Sequence, residues 1–219
     1  MVRVWSAMKY NRQTPCVYKN INVVYHGVPK NASTSVKNAL YEYEHGHPFE
    51  GNKQWVHKGN EKGGSIYPDL ESIRTQYDEA FHFTVVRHPF ERFKSFYSDI
   101  FARTTKLRVG VPPFYTDNNI RIEERPIDDI ISIVEQFSDD EADEHFASQT
   151  SFVHHSNCHV VKMEDMEAGW MSVCNQLGVE HKPLAVYNKS VDIITLTDEQ
   201  KERLYRRYIN DFYNFHYEV

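Results

Sequence analysis

Ile21-Asn22-Val23-Val24-Tyr25-His26-Gly27-Val28-Pro29-Lys30-Asn31-Ala32-Ser33-Thr34-Ser35 is the stretch from which the fold can be read. Residues 21–26 are a β-branched and aromatic run, which predicts a buried strand, and Gly27-Val28-Pro29 punctuates the backbone and ends it. From Ser33 onward Val36, Ala39, Leu40 and Tyr43 recur at helical spacing, with Lys37, Asn38 and Glu42 on the other side of the wheel. Strand, tight loop and helix therefore follow one another directly. The loop carries one cation, Lys30, and runs into three hydroxylated residues at the helix start. N–H groups of a first helical turn and the positive end of the helix dipole favour a bound anion, and Lys30 adds a full charge. Taken alone, the same residues also fit a Ser/Thr-capped helix beside a solvated lysine. The loop is not GxxxxGK[ST], because its lysine comes early, directly after Pro29, so a nucleoside triphosphate is disfavoured.

The pattern returns further along. Phe81 to Arg87 is a second apolar run of strand character, followed by His88-Pro89, where proline suits the start of a helix. Phe90, Phe93, Tyr97, Ile100 and Phe101 form that helix's apolar stripe, which places Arg92, Ser95 and Asp99 opposite and leaves Ser95 to face a cleft. Helices are further predicted over Asp69–Tyr77, Ile127–Phe137, Asp140–Ser148, Glu164–Leu177 and Thr197–Phe212, the last with a Thr197/Gln200 capping box, and a strand over His159–Met163. His45–Ser65 and Arg103–Arg125 read as functional loops. Strands alternating with helices predict an α/β fold with a central parallel β-sheet.

Two anion-type loops in this order carry a resemblance. Pro29-Lys30-Asn31-Ala32-Ser33-Thr34-Ser35 resembles the 5′-phosphosulfate loop of sulfotransferases that use 3′-phosphoadenosine 5′-phosphosulfate (PAPS), especially the branch acting on carbohydrates. Val85-Val86-Arg87-His88-Pro89-Phe90-Glu91-Arg92-Phe93-Lys94-Ser95 resembles that family's 3′-phosphate motif, and the likeness extends to Asp143–Gln149, to Asn188-Lys189-Ser190 and to Asp211–Tyr217. The resemblance implies a P-loop-kinase-like sulfotransferase fold and one sulfotransferase domain over 1–219, with 1–20 as an N-terminal extension. It implies a cofactor site of Pro29, Lys30, Asn31, Ala32, Ser33, Thr34, Ser35, Arg87, Ser95 and Ser190. Arg87 and Ser95 would hold the ribose phosphate, and a guanidinium fork at a strand end suits that task. Asn31-Ala32 stands where many relatives have Thr-Gly.

Sulfuryl transfer needs an acceptor oxygen stripped of its proton and charge relief on the departing phosphate. Lys30 is the candidate for the second task, and no metal is required. For the base a histidine suits neutral pH. His57 is preferred because related carbohydrate sulfotransferases carry a catalytic histidine between the two motifs; His45 and His47 compete in the same loop, and His145 matches a family position that orients rather than deprotonates. His154, His155 and His181 are read as structural. The resemblance implies a hydroxyl acceptor, a glycan, with Lys53, Lys58, Lys62, Arg103, Lys106 and Arg108 as a candidate basic rim and Trp55, Phe114 and Tyr115 as candidate stacking faces.

Composition sets the outer limits. At 219 residues, 40% hydrophobic, the chain builds a substantial core, and its net charge of −6 argues against non-specific nucleic-acid binding. Cys16, Cys158 and Cys174 form no CxxC pair, so neither a disulfide framework nor a zinc site is suggested. Residues 1–22 lack a signal-peptide core and no run approaches the roughly 20 apolar residues that cross a bilayer, so the expectation is a soluble, cytoplasmic protein without a membrane partner. A Mg²⁺-dependent kinase of related fold, or a non-catalytic module binding an anionic ligand, remain as alternatives.

Overall fold

The computed structural model describes residues 15–54, 56–57, 65–101, 113–121, 125–187 and 194–219. Ser190, Trp55, Lys58, Lys62, Arg103, Lys106 and Arg108 lie outside these residues. The chain divides into two compact units, one of residues 13–88 and 152–189 and the other of residues 1–12, 89–151 and 190–219.

The first unit contains a four-stranded sheet. Strands β1 (Cys16–Tyr18), β2 (Val23–His26), β3 (Phe81–Val86) and β4 (His159–Lys162) lie in that order. β2, β3 and β4 are parallel neighbours, with His26 opposite Thr84 and Val86 opposite Lys162, while β1 joins β2 antiparallel. The α/β class with a mainly parallel sheet is thus realised. β1 falls within the stretch read as an N-terminal extension; three residues are too few for a periodic signal, yet Cys16, Val17 and Tyr18 are all buried. On its outer side Val17 exchanges both backbone hydrogen bonds with Ile66, at 2.8 and 3.1 Å.

Strand alternation sorts the two faces. Val23, Tyr25, Phe83, Val85 and Val161 point to one side, where they meet Val36 and Leu40 of α1 (Ser33–His45). α6 (Met166–Leu177) covers the same side through Trp170, Val173 and Cys174. Val24 points to the other side and packs with Ile73 of α2 (Leu70–Gln76), a helix capped by the Asp69 carboxylate on Ser72 N–H. His26, His82 and Thr84 share that second face and are buried. Met163–Asp165 forms a 3₁₀ turn that delays the start of α6, and Gly178, at φ 65°, closes it in the left-handed conformation.

Gly169 fixes how closely α6 approaches β4, because a Cβ at this position would stand 2.4 Å from Val161 Cγ1. Gly169→Ala adds helix propensity worth about 1 kcal/mol but overpacks the contact by about 1–3 kcal/mol. The expected balance is a destabilised protein, read as a lower midpoint in urea; a higher midpoint would show that the helix simply lifts away.

The second unit is helical where described. It contains α3 (Pro89–Ile100), α4 (Pro113–Asp117), α5 (Ile127–Gln136), α7 (Asp198–Arg207) and α8 (Ile209–Asn214). Phe90, Phe93, Ile100 and Phe101 are buried as the stripe requires, but Arg92 is buried as well, donating to the carbonyls of Ala147 (2.7 Å) and Glu144 (3.1 Å). Ser95 is also buried, at 5% exposure, rather than open to a cleft. Phe114 and Tyr115 are core residues and not stacking faces. No α-helix forms over Asp140–Ser148, which folds as successive turns before a 3₁₀ turn at Gln149–Phe152. The carboxylates of Asp139 and Asp143 bind Ser148 N–H and His145 N–H there, satisfying the backbone locally in place of helical bonds.

The capping box of Thr197 and Gln200 is present. The terminal helix, however, breaks at Tyr208 (φ −111°, ψ 21°), whose hydroxyl donates to Phe146 O at 2.9 Å. The break lets Asp211, fully buried, accept from Gln149 N–H, Thr150 N–H and the Thr150 hydroxyl, each at 2.8 Å.

Candidate active site

The site is built on the C-terminal ends of β2 and β3, where open parallel sheets hold their ligands. β2 ends at His26 and the chain turns through Gly27 to Ala32 into α1. Gly27 lets the turn lie close to the strand: a Cβ there would stand 3.2 Å from a ring carbon of Tyr25, a tight contact. Lys30 and Ala32 both adopt positive φ, 73° and 54°. A non-glycine residue in this region costs about 1–3 kcal/mol, and such strain gathers at ligand-binding turns. Alternation of this kind turns successive N–H groups into a concave anion seat.

The capped-helix alternative is not what forms. The N-cap is Ala32, with no side-chain cap hydrogen bond, and Ser33, Thr34 and Ser35 lie inside the first turn. The first helical backbone bond runs from Val36 N–H to Ala32 O. The amides of residues 33–35 thus precede the helical ladder, as helix geometry dictates.

The loop is fastened to the neighbouring strand. Asn31, fully buried, donates from Nδ2 to Val85 O at 2.9 Å, and the Thr84 hydroxyl donates to His26 O at 2.8 Å. Arg87 leaves the end of β3 immediately afterwards, and His88 N–H is held by the Glu164 carboxylate at 2.7 Å. The two motifs found 50-odd residues apart in sequence are thereby brought side by side through Asn31, at least as far as Lys30 and Arg87. Ser95 belongs to α3, in the other compact unit.

His57 comes to the first turn of α1. Its Nε2 lies 3.1 Å from Thr34 Oγ1 and its Nδ1 lies 3.2 Å from Lys37 Nζ. Lys37 is the residue that sequence reasoning missed. Placed on the solvent side by periodicity, it is 1% exposed, donates also to the Tyr67 hydroxyl at 3.0 Å and stands 5.2 Å from the centre of that ring. Burial, followed by the Lys37 charge, lowers the His57 pKa to about 3, so the imidazole is neutral. Asn38 ties this arrangement to the preceding loop, donating to Thr34 O at 2.7 Å and Lys53 O at 3.1 Å.

The competitors are elsewhere. His45 and His47 are exposed and cluster with Tyr41 at ring distances of 4.3 and 5.7 Å. His145, in the other unit, donates from Nδ1 to Asp143 at 2.7 Å. Burial alone would raise the Asp143 pKa, but His145 and the Tyr115 hydroxyl together hold it below the usual carboxylate value. Lys53, a residue of the proposed rim, donates to Phe49 O. His154 and His155 surround the buried His26/His82 pair, with His155 stacked on His82 at 3.8 Å. His181 meets Glu167 at 3.4 Å. Among the described residues no group of three or more His, Cys, Asp or Glu could hold a metal ion, and no helix is long and apolar enough to cross a membrane.

A family model described as "Sulfotransferase family" matches residues 16–218. The chain belongs to the sulfotransferase family. No curated protein and no solved structure matches it. The sulfotransferase fold expected from the two motifs is therefore the one present, and the chemistry of the family is sulfuryl transfer. In this sulfotransferase the matched span includes the loop at Lys30, the strand end at Arg87 and His57 between them.

The sulfotransferase also carries a second deeply shifted histidine. Burial, and then the positive charges that His82 and His154 would carry, lower the His26 pKa to about 3. For both His26 and His57 the folded value lies below the unfolded value near 6.5. The unfolded chain therefore binds more protons below pH 6.5, and the stability these imidazoles contribute, present above that pH, is lost as pH falls toward 3. Each contributes a slope of up to about 1.4 kcal/mol per pH unit in that window. Thermal unfolding followed from pH 7.5 to 4 is expected to show a steep acid loss, flattened in His26→Asn; an identical slope in the variant would remove His26 from this account.

Proposed function

We propose that the protein transfers the sulfuryl group of PAPS to a hydroxyl of a carbohydrate acceptor, with residues 16–218 acting as one catalytic domain. The observation carrying this reading is the start of α1 on an uncapped Ala32, in a turn where Lys30 and Ala32 both have positive φ, fastened by Asn31 to the strand that ends just before Arg87. Such a turn offers N–H donors and a cation where a phosphosulfate would lie. Pro29, Lys30, Asn31, Ala32, Ser33, Thr34 and Ser35 would form the 5′ side of the cofactor site, and Arg87 would meet the 3′-phosphate.

In the proposed reaction the acceptor oxygen forms a new bond to sulfur as the bond from sulfur to the 5′-phosphate oxygen breaks. Lys30 and the first-turn amides neutralise the charge that develops on that phosphate. The acceptor's proton goes to a base, for which His57 is the neutral histidine beside the loop. Base action at Nε2 requires that nitrogen to be bare, hence a tautomer with the proton on Nδ1. The glycan acceptor rests on the likeness of the loop and of the His57 region to carbohydrate sulfotransferases.

Calorimetric titration in EDTA with 3′-phosphoadenosine 5′-phosphate, with ATP and ADP as controls, tests the cofactor. Preference for the 3′-phosphorylated nucleotide supports the reading, and preference for ATP with Mg²⁺ would replace it with a kinase. Turnover with a panel of glycans then separates an enzyme from a module that only binds the anion. Loss of transfer in His57→Gln, which can keep the bonds to Lys37 and Thr34, with nucleotide affinity kept, would assign the base.

A further inference from the structure

Lys37 is an expensive residue for its position. An ammonium buried to 1% exposure gives up its hydration, and an apolar side chain would pack there without that loss. Its surroundings suit a cation: it donates to the Tyr67 hydroxyl at 3.0 Å, at the hydroxyl edge of that ring. A second contact, to His57 Nδ1, is the one that reaches the site.

An ammonium has protons and no lone pair, so the bond between Lys37 and His57 runs in one direction only, from Nζ–H to Nδ1. A neutral imidazole that accepts at Nδ1 carries its proton on Nε2. The next bond is then also fixed, from Nε2–H to Thr34 Oγ1. Thr34, having accepted from His57, directs its own hydroxyl proton elsewhere. It sits in the first turn of α1, above a loop that passes so near Lys37 that a Cβ on Gly27 would lie 3.5 Å from Lys37 Cε.

We infer that Lys37 is a positioning residue that heads a one-way donor chain, Lys37 to His57 to Thr34, and so makes the Thr34 hydroxyl a donor to an anion seated on the Lys30 loop. The identity of that anion rests on the proposed function, whereas the direction of the chain does not. The chain describes the resting, binding-competent state. Base action by His57 would need Nδ1 to take a proton from the Lys37 ammonium, which as an amine then accepts from Nδ1–H, and Nε2 to release its own proton to solvent, so the two roles belong to successive steps.

The test combines imidazole nitrogen shifts of His57 with calorimetric titration of 3′-phosphoadenosine 5′-phosphate into the full-length protein. Wild-type His57 is expected as the Nε2–H tautomer at neutral pH. Lys37→Met, which keeps the volume and removes the donor, is expected to give a tautomer mixture, to move the His57 titration upward and to weaken nucleotide binding about tenfold. His57→Gln accepts from Lys37 through Oε1 and donates to Thr34 through Nε2, so it should bind within about twofold of wild type, while His57→Leu should match Lys37→Met. An Nδ1–H tautomer in the wild type, or unchanged tautomer and affinity in Lys37→Met, overturns the inference. If Lys37→Met does not fold, equal affinities of the Gln and Leu variants overturn it instead. A wild-type protein that binds no nucleotide sinks the proposed function, and the tautomer still decides the chain.

Discussion

Lys30→Ala is expected to slow sulfuryl transfer by about 10²- to 10³-fold, the loss seen when one preorganised donor to a developing oxyanion is removed. The substitution isolates the charge. Lys30 stands at φ 73°, and alanine is as strained there as lysine, so the loop loses no conformational preference in the exchange. The backbone N–H groups that follow Ala32 remain in any case. Turnover should therefore fall by more than any change in folding stability accounts for. Lys30→Arg should recover part of the rate, because the charge is kept and its geometry changed. Initial rates with a reactive glycan acceptor, measured beside the melting temperature, decide the matter: wild-type turnover in Lys30→Ala would take the lysine out of the reaction.

Asp211→Ala is expected to be the most damaging single change to stability. The carboxylate is wholly buried and accepts three hydrogen bonds from Gln149 and Thr150. Burial outweighs those donors and raises its pKa, while the carboxyl group holds the 149–150 turn. Alanine would leave two backbone N–H groups and a hydroxyl without this acceptor, a loss of about 3 kcal/mol or more. For a chain of this size that corresponds to about 6–12 °C in melting temperature. Asp211→Asn keeps one oxygen and should lose less. A calorimetric midpoint within about 2 °C of wild type for Asp211→Ala would show that water replaces the carboxylate without penalty.

The parts of the fold legible in sequence are those with a local cause. Val23–His26 and Phe81–Val86 have strand composition, Thr197 and Gln200 form the expected box, and Gly178 stops α6 where a left-handed residue is needed. The loop at Lys30 was legible for the same reason, because its chemistry is contiguous. Lys37, Arg92 and Asp211 were not, and each for one reason: a charged residue at a helical position reads as solvent-facing unless its distant partner is known. Those partners are His57, the carbonyls of Glu144 and Ala147, and the backbone of Gln149 and Thr150. The Tyr208 break belongs to this group too, since a continuous apolar stripe gives no sign that Asp211 must be turned inward. Residues 140–148 failed in the opposite way, because acidic side chains that favour helix starts bound the backbone of their own turn.

The shortest strand has a consequence for the protein in concentrated solution. A sheet whose outermost strand exposes free backbone donors and acceptors invites a second molecule to continue the ladder, which is how ordered aggregates begin. Here the outermost strand on that side is β1, only three residues long, and the central residue of its rim is already engaged by Ile66. A neighbouring chain would find too little open ladder to extend. The bridge to Ile66 thus occupies the backbone groups through which this edge would otherwise pair with a second chain.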